Sequence, residues 1–327
     1  MHTEVIDPNA YSEIVIMMRK NIIPATVIIM LGVSVLGAFA ADPPGELPLV
    51  SEAYPGLASG TLTYARLSDL PAGMILRAHD LTIKDTEVAD QIAQAPAEMQ
   101  PQLKKNAFFL LENRATRQLL LAKAKAETPE QQSTAAADEE TLIQTYLKGL
   151  VTNAEVSDAE VTKFYEENKE ACGGATLDQV KDQLRQMVLQ QKQQAVIDEH
   201  VRTLGQRMTI EVSASWTKEQ SVLAKDNPVE KARNSGTPSL VDLGSTGCIP
   251  CDMLAPILDT LKGKYSGKLN VLFVHVGQEQ VLAARYGVRT IPTQIFYDEN
   301  GKEVFRHVGF WAQAEIEKQL ADMGVTP

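Results

Sequence analysis

The sequence predicts two domains of different class behind an export signal: a mostly α-helical domain, then an α/β domain. Three observations carry this. Apolar residues between about 85 and 205 recur at the helical period. From Ser239 onward, short apolar runs alternate with helical segments and end in an Asn300-Gly301 turn. Near the start, a basic pair precedes an apolar run and an Ala-Phe-Ala site. With 327 residues and 44% apolar content, the chain is long enough for two ordinary cores.

Taken in order, Met18-Arg-Lys-Asn21 is a basic head, and Ile22 to Val35 is apolar apart from Thr26 and Ser34. Ala38-Phe-Ala40 is a small-residue cleavage site followed by Ala41-Asp-Pro-Pro. Residues 1–40 therefore read as a signal peptide, with translation starting at Met17 or Met18 because residues 1–16 are long and acidic for such a segment. Cleavage makes the protein periplasmic. The alternative is an uncleaved inner-membrane anchor facing the periplasm, since Ile22–Ala41 approaches the ~20 apolar residues that span a bilayer. Both place the rest of the chain where disulfides persist.

Residues 41–73 read as an extended, Pro- and Gly-rich segment, and Met74–Ile83 as a small hairpin. Helices follow over Asp85–Ala95 and, as one long element, Met99–Glu127, with Ala107, Leu111, Ala115, Leu119 and Ala122 on one stripe. A polar loop covers Thr128–Asp138, and Leu142, Tyr146 and Leu150 mark a third helix. Ser157-Asp-Ala-Glu160 and Thr176-Leu-Asp-Gln179 are capping boxes that open a fourth helix and a long one to about Gly205. The Gln-rich patch Gln190–Gln194 reads as a solvated face. Met208–Val212 closes this domain, 74–215, as a strand that pairs with the early hairpin.

A polar linker is expected over 216–229, and an α/β domain over 230–327. Ser239–Leu243 is a buried strand, and Met253–Leu261 carries the helical period. Between them lies Cys248-Ile-Pro-Cys251. That spacing allows a dithiol and a disulfide, and a helix N-terminus favours the thiolate that attacks in disulfide exchange. Leu269–Val276 is the next strand. A helix ending near Arg285 leads to Ile291-Pro292-Thr293, and Gln294–Phe305 is a hairpin turned at Asn300-Gly301.

Over roughly Asn227 to Val325 these motifs resemble the thioredoxin superfamily, in the order strand, Cys-x-Pro-Cys, strand, Ile-Pro-Thr, hairpin, Gly309 and last helix. The resemblance implies a thioredoxin fold. It also implies Cys248 as the attacking cysteine, Cys251 as the resolving one, Pro292 as a cis-proline beside them, and Asp242 as a buried acid that assists proton transfer to Cys251. The chain departs from the family's pattern at Gly247, where thioredoxins carry Trp, at Ile249, and at Phe273, where they place a lysine near the buried aspartate. These departures leave the direction of electron flow open.

The helical domain is similar to the N-terminal domain of SurA-type periplasmic chaperones and parvulin prolyl isomerases. Asn106–Glu112, Val156–Asn168 and Val180–Arg185 carry the likeness. In that family an isomerase domain separates the last two of these segments, whereas here only Lys169–Ala175 joins them. Prolyl isomerase activity is therefore not expected. What the resemblance implies is a surface that holds unfolded chains. Amphipathic helices also pack on one another by default, so a spacer or homodimerisation role stays open.

The functional expectation is an extracytoplasmic thiol–disulfide oxidoreductase acting on client proteins with thiols or disulfides, served by a membrane or periplasmic redox partner. The other reading is a redox-independent chaperone or scaffold whose cysteine pair is structural. A zinc site would need four ligands, and only Cys172 and five scattered histidines remain, so neither metal nor cofactor is expected. Cys172 reads as a small apolar filler or as a thiol that pairs between molecules. A net charge of −11 opposes nucleic-acid binding through a basic face.

Overall fold

The computed structural model describes residues 47–127, 138–169 and 172–327. The signal segment 1–40, the start of the Pro/Gly-rich stretch and most of the loop 128–138 lie outside the described residues. No described helix is long and apolar enough to cross a membrane.

The N-terminal half is built on a four-stranded sheet of order β1-β4-β2-β3 with helices packed against it. Its strands are β1 (Arg66–Ser68), β2 (Met74–Ala78), β3 (Leu81–Lys84) and β4 (Glu211–Ser213). The hairpin is the expected one, β2 against β3, and β4 returns from the far end of the domain to pair with β2 and β1. The segment read as extended holds a short helix, α1 (Val50–Ala53), as well as β1, because Val50 and Leu67 each bury an apolar side chain.

Helix α2 (Asp85–Gln94) is followed by α3 (Gln100–Lys105) and α4 (Ala107–Glu127). The single long helix expected over 99–127 is thus broken at Asn106. Its backbone leaves the helical region (ψ 29°), and its side-chain Nδ2 donates to Gln102 O at 2.8 Å. The apolar stripe runs on through the break, which hid it from a periodicity reading. Helix α5 spans Glu139–Val151. The Ser157 box opens α6 (Asp158–Glu167) with both its hydrogen bonds, and at Thr176, which opens α7 (Leu177–Arg207), the Gln179 side chain accepts from the Thr176 N–H at 2.8 Å. The tip of the α6–α7 hairpin has its own small core of Val161, Tyr165 and Leu184. Cys172 packs partly against that core as a free thiol.

The stretch 216–229, expected as a linker, is mostly helical and packed. Helix α8 (Ala214–Ala224) is capped by Ser213 and buries Thr217, Gln220, Ser221 and Ala224, while Val222 and Leu223 face outward. Polar side chains are thus buried while two apolar ones are exposed, so composition misleads there. Helix α9 (Pro228–Arg233) follows, capped by Asn227 and opened by a proline suited to a first turn.

The C-terminal domain is a sheet of order β6-β5-β7-β8. Strand β5 (Ser239–Gly244) is wholly buried, parallel to β6 (Asn270–His275) and antiparallel to β7 (Thr293–Tyr297). Strand β8 (Glu303–Val308) completes the hairpin, with Gly301 at φ 72° in the turn that Asn300-Gly301 predicts. Helices α10 (Ile249–Lys264), α11 (Gln280–Arg285) and α12 (Gln313–Asp322) pack around the sheet.

The two domains share a polar seam. The Arg285 guanidinium, 8% exposed, donates to Ala224 O at 2.9 Å and Asn106 Oδ1 at 3.3 Å in the helical half, and lies 3.5 Å from Glu230 Oε1. The same Glu230 oxygen accepts from Arg233 at 2.6 Å and from the Tyr286 hydroxyl at 2.7 Å. Val281 of α11 belongs to the apolar core of the helical half.

Candidate functional site

The site stands where β5, α10 and β7 meet. Strand β5 ends at Gly244, and the chain turns through Gly247 at φ 78°, a conformation that disfavours any side chain. That explains the absence of a large residue just before the first cysteine. Cys248 is the N-cap of α10, and Pro250 occupies its first turn, where no N–H is missed. Cys248 and Cys251 form a disulfide with Cα atoms 5.2 Å apart. Cys248 is half-buried and Cys251 is 4% exposed, so the first sulfur is the one a partner can reach.

The register places Pro292 beside this turn. Leu243 pairs with Thr293, so the end of β5 and the entry to β7 are neighbours. The Ile291–Pro292 peptide bond is cis. Pro292 is buried, and its carbonyl accepts the Gly309 N–H at 2.8 Å. Ile249 (76% exposed), Met253 and Phe273 make an apolar rim of exposed side chains. His275 pins the turn that precedes the cysteines, with Nε2 3.3 Å from Thr246 Oγ1.

Asp242 lies under the pair. A Cβ on Gly244 would meet Phe273 Cε2 at 3.1 Å, Cys251 Sγ at 3.3 Å and Asp242 Oδ2 at 3.4 Å. The sulfur and the carboxyl oxygen thus share the space over that glycine, with the Phe273 ring closing it. Burial pushes Asp242 up to about 6, and a hydrogen bond from Gln294 Nε2 to Oδ1 at 2.9 Å pulls the other way. Cys248, Cys251, Pro292 and Asp242 are therefore brought to one end of one sheet.

Three residues outside the cysteine and proline motifs reach the same region. Gln294 is fully buried and directly opposite Asp242. A glutamine inside the apolar run Ile291–Tyr297 was the available signal. Asn168, at the end of α6, reaches the site from the helical half: a Cβ on Gly309 would lie 2.8 Å from its Oδ1. Asp198 of α7 pairs with Arg289, three residues before Pro292, at 3.3 Å. No sequence signal could have placed these, because they depend on how the domains dock.

Among the described residues no cluster of three or more His, Cys, Asp or Glu side chains is placed to hold a metal ion. A cleft of 290 Å³ lies at the domain seam between Gln102, Lys105, Asp226 and Leu282, with no cysteine in its walls. Disulfide exchange needs an accessible sulfur rather than an enclosing cavity, so the cysteine turn is the stronger candidate.

Residues 226–324 match the family model described as a thioredoxin-like domain. A thioredoxin from Staphylococcus epidermidis is 36% identical over 99 residues, 30% of this chain and 93% of that protein. A thioredoxin from Haemophilus influenzae is 40% identical over 83 residues, 25% of this chain and 77% of that protein. Among solved structures, a mutant thioredoxin from Halobacterium salinarum is 27% identical, with a TM-score of 0.27 over 28% of this chain and 80% of that one.

Proposed function

The chain belongs to the thioredoxin-like family through its residues 226–324, and from that premise we propose that it is an extracytoplasmic thiol–disulfide oxidoreductase with a client-holding helical domain. The observation that carries the redox reading is the asymmetry of the pair: Cys248 reachable at a helix N-terminus, Cys251 buried beside an acid.

The reducing direction runs as follows. The Cys248 thiolate attacks one sulfur of a client disulfide, forming a mixed disulfide and releasing one client thiolate. Cys251 then gives its thiol proton to Asp242, and its sulfur attacks Cys248 Sγ. The bond between Cys248 and the client breaks, the second client thiolate leaves and takes up a proton, and the Cys248–Cys251 bond forms. The client gains two electrons and the protein loses two. An external dithiol donor must reduce the pair again. Run in reverse, the same steps oxidise a client dithiol.

Support for client holding is of a different kind. It rests on the SurA-type pattern of residues 106–112, 156–168 and 180–185, and on the exposed Met187 and Val196 of the long α7 helix. The approach of Asn168 and Asp198 to the Pro292 loop brings that domain next to the sulfur chemistry. A tethered holding surface raises the local concentration of client thiols at Cys248. The export reading rests on residues 18–41.

One experiment addresses the redox and export parts. The full chain carrying Cys251→Ser cannot resolve its mixed disulfides, so adducts isolated from cells and mapped by mass spectrometry should be joined through Cys248. They should contain exported, cysteine-bearing polypeptides, and the protein's own first residue should be Ala41. A Cys251→Ser protein that forms no adducts would contradict the redox reading and leave the pair structural. Adducts on a chain that retains Ile22–Ala40 would replace cleavage with an anchor.

A further inference from the structure

Four side chains stand in one registered row across the C-terminal sheet: Phe273 on β6 pairs with Asp242 on β5, Asp242 with Gln294 on β7, and Gln294 with His307 on β8. Directly opposite residues of a sheet share a face and lie close enough to interact. Gln294 is fully buried, Asp242 is 1% exposed, and Gln294 Nε2 donates to Asp242 Oδ1 at 2.9 Å. The remaining oxygens, Asp242 Oδ2 and Gln294 Oε1, are buried and have no hydrogen-bond partner among the described residues. A buried acceptor left open beside a reacting group calls for an explanation.

We propose that Gln294 is a positioning residue of the exchange site, holding the Asp242 carboxyl group by Oδ1 so that Oδ2 is kept free and turned to the space it shares with Cys251 Sγ. The inference rests on the exchange reading above. An amide is suited to this task. It donates one hydrogen bond and so favours the charged acceptor. Yet it brings no positive charge, so the carboxyl group keeps the raised affinity for protons that burial gives it. A lysine at the Phe273 position would have ionised the acid more strongly; here that place is held by an aromatic ring. The amide orientation is fixed because only its nitrogen can pair with a carboxylate oxygen.

The groups around Asp242 are few. Cys251 faces it from α10, and Phe273 from β6 with His275 two residues further along the strand. Gln294 faces it from β7, and His307 stands beyond Gln294 on β8. His307 is stacked on Trp311 at 4.5 Å, and its Nε2 lies 3.2 Å from Phe310 O. Burial holds its titration below the ordinary histidine value, so it adds little charge at neutral pH. The hydrogen bond from Gln294 is therefore the principal local handle on the carboxylate.

The test uses the full chain with Gln294→Met, which keeps the length and bulk of the side chain and removes the donor. In the oxidised protein, where Cys248 and Cys251 do not titrate, carbon NMR of labelled aspartate carboxyls should show the Asp242 midpoint near 6 in the wild type. In Q294M it should lie roughly one unit higher, the size expected for loss of a hydrogen bond to a charged group. In the reduced protein, the pH midpoint for resolving a mixed disulfide should move upward with it. In an Asp242→Asn background Q294M should change neither rate nor profile. An unmoved Asp242 midpoint in folded Q294M, or in Gln294→Leu should Q294M not fold, would overturn the proposal. Equal slowing by Q294M in the Asp242→Asn background would overturn it too. A moved midpoint in a protein whose wild type turns over no disulfide would keep the positioning and sink the exchange reading.

Discussion

Asp242 is the residue on which chemistry and stability trade against each other. Its carboxyl group titrates near 6 in the fold, against about 4 for an ordinary aspartate, because burial penalises the charge. A raised acid favours the folded state fully only below the unfolded value, and that contribution is lost as pH rises through about 6. Two units correspond to about 3 kcal/mol. The oxidised Asp242→Asn protein should therefore gain on the order of 3 kcal/mol over wild type at pH 8 and little at pH 4. Urea titrations of both proteins at the two pH values read the difference, and equal gains at both would contradict the buried-charge account. The place of the cysteines was legible from spacing, and the burial of Asp242 and the cis bond at Pro292 from resemblance. Gln294 is out of place in an apolar run, but β5 and β7 are distant in sequence and only register shows that residue 294 faces residue 242.

At the scale of elements, the capping boxes at Ser157 and Thr176 and the Asn300-Gly301 turn were legible because each satisfies its backbone locally. Helix α8 was not. Its polar Thr217, Gln220 and Ser221 are the buried ones, so a polar stretch that composition assigns to a linker forms part of the domain seam. The seam turns on Arg285, whose guanidinium reaches the carbonyl end of α8 and the buried Glu230. Removing one partner of a buried ionic cluster leaves the other undersolvated, at about 3–5 kcal/mol. Glu230 retains Arg233, so Arg285→Met should cost about 3 kcal/mol, near the lower end of that range. Calorimetry should show the unfolding of the full chain dividing into two transitions as the domains uncouple. One transition at the wild-type temperature would show that Arg285 is not what couples them.

For the whole molecule, the structure is a thioredoxin-like domain packed against a helical domain, with Asn168 and Asp198 approaching the loop carrying Pro292. The central claim is that the Cys248–Cys251 pair changes redox state in use. The most direct measurement equilibrates the full chain in defined thiol–disulfide buffers and reads the pair by alkylation trapping. The account predicts a midpoint between about −270 and about −120 mV, the range spanned by thioredoxins and strong disulfide donors. A pair that stays oxidised below about −300 mV would be a structural bridge and would contradict it.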